Sequence, residues 1–455
     1  MLNKKVLVAG AGKSGVAASE LLARNNESVI LYDENKKGEL DAENISVNFP
    51  DNIKGNIEII LGEISDEIIS GCEFMVISPG IPTDNEFSTR VRTLGLRILS
   101  EIELAYLYEK GEVLAITGTN GKTTTTSLVG EIMKAYNENT YVVGNIGIPY
   151  TSIADKTTED SVTVAEISSF QLETIEKFKP HISAVLNITP DHIDRHHTFE
   201  NYAECKMDIA KNQFKDDYIV LNYDDPETIK RAELDNVNVV LFSRIKHLDE
   251  GVYVDRDDVV IRKDNVITKV LSLNDIQLLG THNVENILAA VAITYYAGVP
   301  IKTIEKVCTE FKGVEHRIEY VRTVNGVKYY NDSKGTNPDA AIKGIKAMTT
   351  TTFLIGGGYD KGVGFDEWIE AFDAKVKYLV LIGQTAKTIA TCAKNHGFNS
   401  IMFMDSLEEA VDFCYKNAKP GDAVLLSPAC ASWGMFKNYE ERGNLFKEYV
   451  MKLEE

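Results

Sequence analysis

The sequence predicts an α/β protein of three domains: a Rossmann-like first domain, a P-loop-type central domain with a mainly parallel sheet, and a second Rossmann-like domain at the C-terminus. Three observations predict it. At roughly 150 residues per domain, 455 residues make about three. Short apolar runs alternate with helical stretches along most of the chain, as in βα units on a parallel sheet. Two of these units carry a glycine turn between strand and helix, GAGKSG near the start and GTNGKT further on.

The first domain, 1–99, opens with a strand at Val6–Ala9, and Gly10, Gly12 and Gly15 supply G-x-G-x-x-G spacing before a helix from Ser14 to Arg24. A second strand, SVILYD, ends at Asp33, where a carboxylate could meet a ribose hydroxyl. The pattern fits NAD, and equally any ligand with a pyrophosphate and a ribose, such as a UDP-sugar. Strands at Ile57–Leu61 and Phe74–Ser78 follow, and the turn SPGIP closes at Pro82.

The central domain, 100–313, is organised around VLAITGTNGKTTTT. A strand at Val113–Ile116 runs into the loop Gly118, Thr119, Asn120, Gly121, and Lys122, Thr123 and Thr124 open a helix through Met133. Glycines let backbone N–H groups converge on phosphate oxygens, the lysine reaches the terminal phosphates, and the Thr123 hydroxyl can ligate Mg2+. This is an ATP site of the tight G-x-x-G-K-T form, since Ile116 stands where the longer loop has glycine. Glu166 ends the next apolar strand, where an acid faces the ligand crevice and can hold Mg2+ directly or through water; a paired structural carboxylate is the alternative. The strand ISAVLNI delivers TPDHIDRHH, in which Asp191, His192, Asp194, His196 and His197 crowd together. Without an i, i+4 pair of histidines on a predicted helix or a cysteine ligand, one magnesium ligand among solvated neighbours fits better than zinc. A helix over NYAECKMDIAKNQF carries Lys206, which spacing alone does not distinguish from any solvated lysine. Short strands over 236–280 form a peripheral β insertion, and Asn283 and Asn286 lie at the start of the next helix, placed either to reach a base or to cap.

The third domain, 314–455, carries GVEHRIEYV, the strand GVKYYN, the turn DSKGTNP and a helix from Pro338 to Met348, then strands TFLIGGG, YLVLIG and AVLLSP with helices between. Its strand-end loops are rich in Lys, Ser, Thr and Gly, where ligands are expected.

A formal net charge of −20 argues against a nucleic-acid partner, because no basic stripe offsets it. The six cysteines include no C-x-x-C pair, which argues against a disulfide framework and a zinc motif and for a reducing, cytoplasmic setting. No apolar run approaches the roughly 18 residues of a membrane span, and MLNKKVLVAG reads as a strand and turn rather than a signal peptide.

GTNGKTTT, EISSFQLE, NITPDHIDRH, GTHNVENILAA, EHRIE, NDSKGTNP, GGGYDKG and LLSPACASWGMFKNYEERG occur in this order along the whole chain, and together they resemble the Mur ligases, cytoplasmic synthetases of peptidoglycan precursors. SSFQLE, NDSKGTN and SPACASWGMFKNYEERG resemble the D-glutamate-adding branch. The resemblance implies a first domain for a UDP-sugar, a central ATPase and a C-terminal domain for the amino acid. It implies ATP-driven formation of an acyl phosphate on UDP-N-acetylmuramoyl-L-alanine and attack by D-glutamate, by a monomer with two Mg2+ ions. It further implies Lys122 at the phosphates, Thr123 and Glu166 at the first Mg2+, and His192 with a carbamylated Lys206 at the second. Asn283, Asn286, Arg317 and Asp332 would contact ATP, and Thr336, Lys361, Ser432 and Tyr439 D-glutamate. Ser14, Asp33, Ser78 and Asn145 would face the UDP-sugar, although Glu34 and Asn35 stand where some members have an arginine. Folylpolyglutamate synthetase shares the last two domains but not the first, and an NAD-dependent oxidoreductase or a nucleotide-sensing module would leave most of these motifs unused.

Overall fold

A computed structural model describes residues 5–35, 42–47, 49–278, 280–359 and 364–454. The chain divides into two compact units, Met1–Asn274 with Glu285–Cys308, and Asp275–Val284 with Thr309–Glu455.

The first unit holds two sheets. Strands β1 (Lys5–Ala9), β2 (Val29–Asp33), β3 (Ile57–Leu61), β4 (Cys72–Ile77) and β5 (Arg97–Ser100) form a parallel sheet in the order β3-β2-β1-β4-β5. Its order reverses between β1 and β4, which opens a ligand crevice at the strand ends. There the helix Lys13–Arg24 packs so closely on the loop that a Cβ at Gly15 would overlap the Gly10 carbonyl, so only glycine fits.

The second sheet runs β14-β13-β12-β11-β10-β9-β6-β8-β7. Its strands are β6 (Glu112–Thr117), β7 (Thr140–Gly144), β8 (Val162–Glu166), β9 (Ile182–Val185), β10 (Tyr218–Asn222), β11 (Asn238–Ser243), β12 (Gly251–Asp255), β13 (Asp258–Lys263) and β14 (Val266–Ser272). Strands β6–β12 pair in parallel and β12–β14 form an antiparallel meander. The segment expected as a peripheral insertion is therefore the edge of the main sheet: β11 buries Val240 and Phe242, β11 and β12 continue the parallel pairing, and only β13 runs against the other strands. The two sheets share a core in which Val6, Val8 and Leu21 pack in one cluster with Val113, Tyr150 and Val185. Buried Glu101 adds a polar tie between them by accepting Thr151 N–H and Oγ–H, both at 2.7 Å.

The second unit carries β15 (Glu319–Val324), β16 (Val327–Asn331), β17 (Thr352–Gly356), β18 (Val376–Leu381), β19 (Ile401–Phe403) and β20 (Ala423–Leu426) in the order β15-β16-β20-β17-β18-β19. All pairs are parallel except β15 with β16. Among the described residues no helix is long and apolar enough to cross a membrane.

Candidate active site

The phosphate loop joins β6 to the helix Lys122–Tyr136. Gly121 caps this helix in the left-handed region with φ 84° and no side-chain cap, and a Cβ there would overlap Asn286 Oδ1. Glycine therefore leaves the N–H groups of the first turn facing outward without a capping oxygen over them. The segment after β9 fixes the loop's shape: Asn187 Oδ1 accepts Asn120 N–H at 2.8 Å, Asn187 Nδ2 donates to Asn120 O at 3.1 Å, and Thr119 Oγ donates to Thr189 O at 3.1 Å.

Two lysine side chains converge on this loop. Lys122 Nζ donates to Gly118 O at 2.7 Å and Thr119 O at 3.0 Å, and Lys206 Nζ donates to the same Gly118 O at 3.0 Å. Lys206 is buried against the ring of Tyr202, 4.6 Å from its centroid. Burial first, and the neighbouring Lys122 charge second, bring its pKa down to about 7. Burial thus favours the neutral amine of Lys206, a difference from a solvated lysine that its helical spacing alone did not reveal.

Glu166 ends β8 fully buried. Its Oε1 accepts Asn145 Nδ2–H at 2.7 Å, while Oε2 has no hydrogen-bond partner among the described residues. An orphaned carboxylate oxygen in a buried strand end is a place for a cation. Asn145, expected to face the UDP-sugar, spends its amide N–H on this acid.

His192 precedes a single helical turn, Ile193–His196, with φ 53°, and His197 follows it with φ 66°. The His192 ring is half exposed and lies 4.9 Å from the Phe170 ring and 6.5 Å from the Tyr202 ring. His196 is buried and its Nε2 pairs with Ser169 Oγ at 3.0 Å, so it serves the packing beside His192. Arg195, which the sequence did not single out, makes a bidentate pair with Glu173 at 2.9 and 2.8 Å and also donates to Ile81 O at 3.0 Å. Thr83 Oγ donates to the same Glu173 at 2.8 Å, so the histidine-rich segment is tied to the SPGIP turn of the first domain.

At the strand ends of the first sheet, Asp33 Oδ2 accepts Ala11 N–H at 2.9 Å and so braces the glycine turn, and Ser78 Oγ donates to Gly10 O at 3.3 Å. Ser14 is half-buried in the first turn of its helix. A cavity of about 840 Å³ lies beside Asp33, lined also by Glu34, Asn35 and Arg90. Arg90, a residue the sequence did not bring forward, supplies the guanidinium there from a different helix, held by Asp66 at 2.6 Å and Ile64 O at 2.9 Å.

Asn286, on the helix Thr281–Tyr296, meets the phosphate-loop helix by accepting Thr125 Oγ–H at 3.3 Å, whereas Asn283 belongs to the segment of the second compact unit. In that unit Asp332 is fully buried, accepts Ser427 Oγ–H at 2.7 Å and Ile318 N–H at 3.3 Å, and is pushed by burial up to about 7. Arg442, also missed in the sequence, is buried and donates to Ser333 Oγ (3.0 Å), Ser333 O (2.8 Å) and Cys430 O (3.1 Å). It joins the turn that carries Thr336 to the segment that carries Ser432, and Ser333 Oγ donates in turn to Tyr439 O at 2.8 Å. Arg317 stays near enough to lower the pKa of Asp332 against the effect of burial. Lys361 lies outside the described residues.

Three family models match in order: "Mur ligase MurD-like, N-terminal domain" over 4–100, "Mur ligase middle domain" over 116–294 and "Mur ligase, glutamate ligase domain" over 316–430. A Lachnoclostridium phytofermentans protein named UDP-N-acetylmuramoylalanine–D-glutamate ligase is 54% identical over 454 residues, covering 100% of this chain and 99% of the relative. A Clostridioides difficile protein of the same name is 46% identical over 99% of both chains. Among solved structures, the UDP-N-acetylmuramate–alanine ligase of Thermotoga maritima aligns with a TM-score of 0.57 at 18% identity, over 98% of this chain and 99% of that one. The MurF ligase of Thermotoga maritima in complex with ADP aligns at 0.56 and 19%, over 98% and 95%. These two likenesses concern the fold.

Proposed function

This chain belongs to the Mur ligase family, and from that premise we propose that it joins D-glutamate to UDP-N-acetylmuramoyl-L-alanine with ATP, by way of an acyl phosphate. The observation that carries the substrate assignment is the 54% identity, along the full length of both chains, to a ligase of that name. The folylpolyglutamate and nicotinamide readings lose their ground, because the N-terminal match runs over 4–100 to a Mur-type model. We divide the work among 1–99 for the UDP-sugar, 100–313 for ATP and 314–455 for D-glutamate.

A carboxylate is a poor electrophile, and phosphorylation gives it a leaving group. One oxygen of the alanyl carboxylate attacks the γ-phosphorus of ATP and ADP leaves; the amine of D-glutamate then attacks the acyl carbon, and phosphate departs with that oxygen. Charge on the phosphates falls to the loop N–H groups and to Lys122, whose ammonium already stands at Gly118 and Thr119. The oxygen donors Thr123 and Glu166 would hold one Mg2+, with His192 and Lys206 assigned to a second, and the unpartnered Glu166 Oε2 is the observation that supports a cation here. When bound, Mg2+ offsets phosphate charge that the protein alone would leave uncompensated. Lys206 fits the carbamate reading: its neutral amine can add CO2, forming an N–C bond and releasing a proton, while the remaining N–H keeps its bond to Gly118 O. Asn286 would hold the nucleotide end of the loop, with Asn283, Arg317 and Asp332 as further ATP contacts. Thr336, Lys361, Ser432 and Tyr439 would form the D-glutamate pocket, with Lys361 as the carboxylate's partner. For the UDP-sugar we assign Ser14, Asp33, Ser78 and Asn145, and add Arg90 as the cation at the uridine end.

Substrate labelled with 18O in the alanyl carboxylate tests the route. One 18O per turnover appears in the released phosphate, alongside ADP and a product heavier by one glutamyl residue. Unlabelled phosphate, or AMP in place of ADP, overturns the acyl-phosphate step.

A further inference from the structure

Away from the phosphate loop, a mixed cluster of donors joins two helices of the second unit. The helix Asp366–Glu370 presents Asp366 and Glu370 one turn apart, and the helix Ala386–Asn395 with its C-cap presents Cys392 and His396 at the same i, i+4 spacing. Asp366, Cys392 and His396 each offer a ligand atom, and these atoms all lie within 4.8 Å of one another. His396 Nε2 stands 2.9 Å from Asp366 Oδ1, and Nδ1 on the far side of the ring stands 3.8 Å from Glu370 Oε1. Neither the catalytic reading nor the substrate pockets use any of these four side chains.

From this geometry we propose a transition-metal site, best suited to Zn2+, with Asp366, Cys392 and His396 Nε2 as ligands and a water in the fourth position. Three protein ligands and one solvent position are a common zinc arrangement. Glu370 stands 3.8 Å from the other ring nitrogen, on the side from which a carboxylate commonly supports a metal-bound histidine. A thiolate and an imidazole select zinc or cobalt over magnesium and calcium, which take all-oxygen sets. The site is reachable, since the Asp366 and Glu370 side chains are 70% and 65% exposed and His396 is 27% exposed. On binding, the Cys392 thiol proton leaves to solvent and a sulfur–metal bond replaces the S–H bond. The sequence hides the site, because a lone C-x-x-x-H is completed by residues on another helix.

The test is Co2+ titration of the full-length protein. A near-ultraviolet sulfur-to-cobalt charge-transfer band grows to saturation at one equivalent, is displaced by Zn2+ and not by Mg2+, and is absent from Cys392→Ser and weakened at least tenfold in His396→Ala. One equivalent of Zn2+ also raises the melting midpoint of the wild type and not that of Cys392→Ser. No charge-transfer band, a band undiminished in Cys392→Ser, or displacement by Mg2+ overturns the proposal. Far-ultraviolet circular dichroism shows that both variants are folded, so a lost band reports the site.

Discussion

Lys206 shows how burial decides what a residue can do. An ammonium beside another ammonium, with one carbonyl to donate to, gives up its proton near neutrality and becomes a nucleophile toward CO2. With 13C-bicarbonate the wild type gains one carbamate resonance that Lys206→Ala lacks, and the variant ligates about a hundredfold more slowly, or worse, while still folding. A resonance that survives in Lys206→Ala removes the carbamate from this position. Asp332 shows the same physics with the opposite sign. Folding raises its pKa from about 4 in the open chain to about 7, so the native state holds the proton more tightly. The stability it contributes is complete below pH ~4 and is lost as pH rises through ~7. Asn at this position does not titrate, so the wild type loses a few kcal/mol relative to Asp332→Asn between these limits; a difference that stays flat with pH in urea unfolding would contradict the assignment. Lys122 and Glu166 were legible in the sequence, one from its loop and the other as an acid closing an apolar strand. Arg90, Arg195 and Arg442 were not, because their partners lie far along the chain and an arginine in a helix reads as solvated.

Among the elements, the phosphate loop is shaped from three directions: by Asn187 and Thr189 after β9, by the helix that carries Asn286, and by the glycines themselves. Gly121→Ala forces a side chain into φ 84° and against Asn286. We expect a loss of about 1–3 kcal/mol in stability and a larger rise in the KM for ATP than for D-glutamate; equal changes in both KM values would place the effect elsewhere. Most strands were legible because each is a short apolar run ended by glycine or a polar loop; β5, β7, β15 and β19 were not named from the sequence, and each lies at a sheet edge, where one side goes unpaired and the apolar signal is weaker. Helix limits were less so. The helix expected over 201–214 is Phe199–Met207 followed by a 3-10 turn at Asp208–Ala210, since Thr198 accepts Asn201 N–H and starts the helix earlier. The left-handed residues around Ile193–His196 carry no sequence signal beyond two histidines, which tolerate that backbone better than most residues.

On the scale of the whole molecule, three sheets carry glycine turns at their strand ends, and the order of the motifs matches the order of the family domains. We propose that the three domains serve one reaction, in which ATP is spent only when both acceptors are present. The most direct measurement is phosphate release from ATP and Mg2+ with UDP-N-acetylmuramoyl-L-alanine and D-glutamate, repeated with each component omitted and with L-glutamate in place of the D isomer. Full release only in the complete mixture with D-glutamate is the predicted result. Release that proceeds without the UDP-sugar, or equally with L-glutamate, would contradict it.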